Sequence, residues 1–217
     1  MTENWDELGP AGLTFYGGVC ASISHELKNS LALINENAGL MNDLLLRAGQ
    51  GHALDHEKMA LIAERIAKHV AKANMTIANL NRFGHLIDEP VRLVNLHESV
   101  TLALNLSQRL ASQQRVELVL ESQDEGLVLT SRPFELVNAL GLCIKAALPA
   151  VKQGMLSLRI APMDDGVEIH FSGFDPGALE LPSGSVAGAL LDALAATCEV
   201  RSETLCLTLG LRQASQV

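Results

Sequence analysis

Apolar residues between Leu13 and about Arg47 fall at Val19, Ile23, Leu27, Leu31, Ile34, Ala38, Met41 and Leu45. The steps of 4, 4, 4, 3, 4, 3 and 4 predict one long helix with a single apolar seam. Gly49-Gln50-Gly51 interrupts it, and Asp55 is placed to cap a second helix. That helix carries Met59, Ile62, Ile66, Val70, Ala73, Ile77, Leu80, Gly84 and Ile87, and Asp88-Glu89-Pro90 ends it. Two long helices and a short turn make an antiparallel hairpin. One hairpin buries neither seam well, whereas two paired hairpins make a four-helix bundle, so a homodimer is expected. Residues 1–12 are acidic, contain Gly9-Pro10 and read as a flexible lead-in, which leaves 13–89 for the hairpin.

Beyond Pro90 the pattern changes. A helix fits Leu96 to Gln113. Val116, Leu118 and Leu120 alternate as a half-buried strand, and Leu127 to Thr130 reads as another. Pro133 suits the first turn of a helix running to about Ala150, with an apolar face of Val137, Leu140, Ile144, Leu148 and Val151. Met155 to Ile160 and Val167 to Phe171 flank Asp164-Asp165-Gly166 as a hairpin. A helix over 186–197 and a strand through Leu205, Leu207 and Leu209 complete the chain. Helices over one face of a mixed or antiparallel sheet define a second domain, 94–217, and the fold class is α+β.

Composition narrows the function. Aromatic residues make up 3% of the 217, so the cores rest on Leu, Ile, Val and Ala, which favours helix packing and argues against a base-stacking platform. A net charge of -9 without basic clusters argues against nucleic acid and anionic membranes as partners. The N-terminal residues lack the basic-then-apolar pattern of a signal peptide, and no uninterrupted apolar run reaches the roughly 18 residues of a membrane helix. A cytoplasmic location is expected. Cys20, Cys143, Cys198 and Cys206 match no zinc spacing and read as reduced core residues. His52 and His56 lie in the interhelical turn without a third ligand, and His69, His85, His97 and His170 show no partner pattern, so no metal site is expected.

His25 lies about 200° around the helix from Ile23 and therefore points away from the seam, with Asn29 one turn further on the same face. A neutral imidazole is a nucleophile near pH 7, and the carboxylate of Glu26 can hold its tautomer and accept its proton. On spacing alone such a pair is ordinarily a solvated helix face. Ser24-His25-Glu26-Leu27-Lys28-Asn29-Ser30-Leu31, however, resembles the H-box of bacterial sensor histidine kinases, with Ser30 where that family usually has proline. The resemblance extends from about Leu13 along the whole chain: a dimerising phospho-acceptor hairpin, then an α/β sandwich shaped like the kinases' ATP-binding lobe. It implies phosphorylation of His25, a general-base role for Glu26 and a water-positioning role for Asn29. It also implies that the face continuing through Ala32, Leu33, Glu36, Asn37 and Leu40 receives a response-regulator receiver domain. The two leucines there fit either a docking site or the edge of a dimer core.

The second domain departs from the family. The helix that should carry the magnesium-binding asparagines has Leu142 and Ala146 at those positions. Asn138 lies one turn too early and reads as a surface amide. Gly173 stands where the adenine-binding aspartate belongs, and Asp175-Pro176-Gly177 reads as an ordinary turn. Only Ala178 to Ser185 remain for the mobile lid. No ATP or other cofactor is therefore expected. The chain is similar to the relay-type histidine phosphotransferases, which keep the kinase shape without using ATP. The expected function is transfer of phosphoryl groups between response-regulator aspartates through His25. A response-regulator phosphatase, a pseudo-kinase scaffold and an atypical ATP-dependent kinase remain as alternatives.

Overall fold

The structure, a computed structural model, describes residues 5–121 and 126–210. It has an α+β architecture in two compact units, one formed by Val19–Asn81 and the other by the first turns of the chain together with everything from Arg82.

The first unit is the hairpin. Helix α1 spans Trp5–Gly49 and helix α2 spans His56–Gly84. Asp55 caps α2 as expected, its Oδ1 accepting a 2.9 Å bond from the Lys58 amide. Residues 5–12 are helical, in contrast to the expected lead-in; Pro10 lies inside α1, and residues 1–4 lie outside the described residues.

The seam between the helices differs from the apolar pattern. It buries Val19, Ile23 and Ile62, but also Ser30, Asn37 and Thr76. Asn37 donates to the Leu33 carbonyl at 2.7 Å and Thr76 to the Lys72 carbonyl at 3.0 Å, so these buried polar groups are satisfied within their own helices. Leu31, Leu45, Val70 and Ile77, expected in the seam, are 57%, 48%, 41% and 44% exposed. At about 100° per residue, Leu31 and Leu45 fall on one flank of α1. Because α2 runs antiparallel, its Val70 and Ile77 fall on the matching flank. One side of the hairpin is thus an apolar band.

The second unit is a layered lobe. Strand β1 (Arg92–Asn95) pairs antiparallel with β3 (Val128–Ser131). Helix α3 (Leu96–Gln113) follows β1, with Asn95 Oδ1 accepting from the Glu98 amide at 3.0 Å. Strands β2 (Glu117–Leu120), β4 (Met155–Met163), β5 (Gly166–Ser172), β6 (Ala196–Arg201) and β7 (Thr204–Gly210) form a sheet in the order β2-β4-β5-β7-β6. The β2–β4 pair is parallel and the others antiparallel. Helices α3, α4 (Pro133–Ala147) and α5 (Ser185–Leu194) supply the other layer. The core joins Leu136, Leu140 and Ile144 of α4 to Leu156, Leu158, Ile169, Phe171, Leu205 and Leu207 of the sheet, all fully buried. The stretch Pro133–Ala150 is long and apolar enough to cross a membrane, but 61% of it is buried as the core helix of this lobe.

Four aromatic side chains gather at one place. Phe15, Phe83 and Phe134 meet mutually with ring centroids 5.5–6.0 Å apart, and Tyr16 stacks on Phe83. Gly12 and Gly141 make room, since a Cβ there would lie 3.2 Å from Phe134 and 3.1 Å from Phe15.

Candidate functional site

His25 is exposed on α1, about 140° around the helix from Ser30 at the centre of the seam. Glu26 is half-buried beside the seam, and Asn29 is exposed, one turn from His25 on the same side. The hydroxyl of Ser24 bonds back to the Cys20 carbonyl at 2.8 Å. Ala32 and Glu36 are exposed, and Leu33 and Leu40 are 39% and 43% exposed. Asn37 does not join them. It stands twelve residues from His25, which the 3.6-residue period turns to about 120° away, and it is buried in the seam. The exposed face is therefore His25, Asn29, Ala32, Leu33, Glu36 and Leu40, on the side of the hairpin opposite the apolar band. By the same helical arithmetic, Arg65, Lys68 and Lys72 of α2 fall on the His25 side of the hairpin. That basic margin was not read from the sequence, because it becomes visible only when the two helices are set side by side.

In the lobe, half-buried Leu142 lines a small space between α4 and α5. Ala139, Cys143, Pro182, Ala187, Leu190, Leu191 and Cys198 complete its lining. The cavity left there is about 20 Å³, room for a water or so, against roughly 300 Å³ and more for a small-molecule site. Asn138 is not a surface amide: it is 3% exposed, and it does not line this space.

Gly173 is fixed by its backbone. Its φ is +98°, and a Cβ would stand 2.4 Å from the Met155 carbonyl oxygen, so no side chain fits without moving β4. Asp175 closes the turn that follows. Its Oδ1 accepts from the Gly177 amide at 3.1 Å and its Oδ2 lies 3.2 Å from Lys152 Nζ, and these bonds hold its carboxyl below the usual range.

A second polar group lies on the sheet. Glu168 accepts from Arg201 Nη1 at 2.7 Å and Thr208 Oγ1 at 3.0 Å, and its other oxygen is 2.5 Å from His170 Nε2. Burial pushes the Glu168 carboxyl up, but the His170 and Thr208 bonds and the Arg201 charge outweigh it, leaving it below its ordinary value. Arg159 approaches His170 Nδ1 at 3.3 Å. Glu168, His170 and Cys206 offer ligand atoms within 4.8 Å of one another, but the carboxylate is already committed to a guanidinium. His170 and His85, expected to lack partners, both have one, His85 Nδ1 lying 2.8 Å from Asp88.

No protein-family model and no curated protein matches the chain. Among solved structures it is similar to the nucleotide-free catalytic domain of histidine kinase ThkA, at 13% identity and a TM-score of 0.44 over 57% of this chain and 97% of that one. It is also similar to Acinetobacter baumannii histidine kinase AdeS, at 12% identity and a TM-score of 0.45 over 82% of this chain and 96% of that one. At identities and scores this low, the likeness assigns the chain neither a family nor a chemistry.

Proposed function

We propose that the chain is a histidine phosphotransferase of two-component signalling. It takes a phosphoryl group from the aspartate of one response regulator onto His25 and gives it to another, without ATP of its own. The observation that carries this reading is the free-standing His25, one turn from Asn29, on a helix face turned away from both the seam and the apolar band. In the transfer, an imidazole nitrogen attacks phosphorus, the N–P bond forms and the acyl P–O bond breaks. The aspartate leaves as carboxylate, and Glu26 takes the imidazole proton. Arg65, Lys68 and Lys72 supply positive charge on the side an anionic, phosphorylated partner approaches. Leu33 and Leu40 supply the apolar part of that contact. The apolar band through Leu31, Leu45, Val70 and Ile77 is the face on which a second copy completes a four-helix bundle.

Leu142, lining the small α4–α5 space, and Gly173, where no carboxylate can stand, support a lobe that holds no nucleotide and acts as a scaffold. The test is transfer of labelled phosphate from a panel of phosphorylated receiver domains, without ATP. Label is expected on the parent chain and not on His25→Gln; equal label on both sinks the proposal. Asn29, exposed beside His25, favours a second reading, in which the chain dephosphorylates receivers by positioning water. Under that reading Asn29→Ala abolishes faster receiver decay while leaving label on His25 intact.

A further inference from the structure

Cys143 on α4 and Cys198 on β6 stand 55 residues apart in sequence, yet their sulfurs are 3.9 Å apart. Both are free thiols lining the small space between α4 and α5. Cys143 is buried, whereas Cys198 is half-buried on β6, the last strand at one edge of the sheet. A small oxidant therefore reaches Cys198 first. About 2 Å of sulfur travel, within reach of side-chain rotation, brings the pair to bonding distance.

The two thiols are also chemically unequal. The bond from Cys143 holds the Cys198 thiol below its ordinary value, against the opposing effect of burial. The same bond and full burial push Cys143 well up. Of the two, Cys198 is therefore the thiol that ionises more readily, and Cys143 the one held protonated. Burial raises the thiol of Cys206, next to the Glu168 carboxylate, and makes it a poor competitor.

We propose that Cys143 and Cys198 form an oxidisable dithiol site, which a peroxide converts to a disulfide tying α4 to β6. In the first step the Cys198 thiolate attacks a peroxide oxygen. The O–O bond breaks, the displaced alkoxide or hydroxide takes up a proton, and Cys198 becomes a sulfenic acid. Cys143 sulfur then attacks the Cys198 sulfur; the S–S bond forms, the S–O bond breaks, and the hydroxide leaves as water with the Cys143 proton. The dithiol loses two electrons and the peroxide gains them. This site is independent of His25 and of its proposed role.

The test is peroxide treatment of the reduced full chain, followed by thiol titration and a non-reducing peptide map. The expected result is loss of two of the four thiols, a mass lower by two hydrogen atoms, and one cross-linked peptide joining Cys143 to Cys198, all reversed by dithiothreitol. In Cys143→Ser the first step has no resolving partner, so dimedone is expected to label Cys198. The proposal is overturned if the thiols survive peroxide, if the cross-link joins other cysteines, or if dimedone labels Cys20 or Cys206 in place of Cys198. The peptide map on the parent chain decides the matter even where a variant folds poorly.

Discussion

The hairpin and the lobe divide apolar and polar residues in opposite ways. The hairpin puts Ser30, Asn37 and Thr76 into its seam and leaves Leu31, Leu45, Val70 and Ile77 on its surface. The lobe packs Leu, Ile and Phe to near-zero exposure and lines the small space between α4 and α5 with Leu142, Leu190 and Leu191. A poorly closed seam and an exposed apolar band describe an element built to be covered by something else. A closed core describes one built to hold shape. The proposed chemistry lies on the first, where His25 and Asn29 are exposed.

The contrast breaks most severely at Gly173. Gly173→Asp restores the residue type that the family resemblance calls for, but drives a Cβ into the Met155 carbonyl. It is expected to cost about 3 kcal/mol or more in chemical denaturation, and to gain no affinity for Mg-ATP by calorimetry. Next comes Leu140→Ala, which empties a fully buried position and should cost roughly 2–5 kcal/mol. A much smaller loss would show that the lobe core is looser than its burial implies.

A third test uses acid. The Glu168 carboxyl lies below its ordinary value of 4.5. Its contribution is therefore present above that pH and fades as pH falls through the lower folded value. Glu168→Gln is expected to cost roughly 1–3 kcal/mol at neutral pH and to flatten stability below about pH 4.5. An unchanged acid limb would remove Glu168 from the account. The smallest stability effect belongs to the hairpin surface. Leu31→Glu should leave the fold within about 0.5 kcal/mol, yet shift the chain from dimer to monomer in sedimentation. A parent chain that is already monomeric would contradict the paired bundle.

Much of the lobe was legible from the sequence. Helix α3 matches its expected span, because Asn95 caps one end and the apolar face repeats cleanly. The apolar pattern does not reveal strand β6, in which Ala196 and Glu199 are poor strand formers. The helix before it ends on Ala195 in a left-handed conformation (φ +50°), so no glycine marks the boundary. In the hairpin, the apolar periodicity found both helices but merged two demands. It put the surface residues Leu31 and Val70 in the seam and could not nominate Ser30 or Thr76, which are polar. Whole turns counted from His25 put Asn37 on its face, but the phase drift of a 3.6-residue period carries it into the seam. The Cys143–Cys198 pair had no signature at all, since only the tertiary fold closes a gap of 55 residues.

The central claim is that His25 is loaded by a phosphorylated partner and not by ATP. One preparation of the chain, divided in two, tests it: one half receives labelled Mg-ATP and the other a labelled phosphorylated receiver domain that serves as donor. Acid-labile label at His25 in the second half alone is the predicted result. Label at His25 from Mg-ATP alone would contradict the account and make the lobe a working kinase domain.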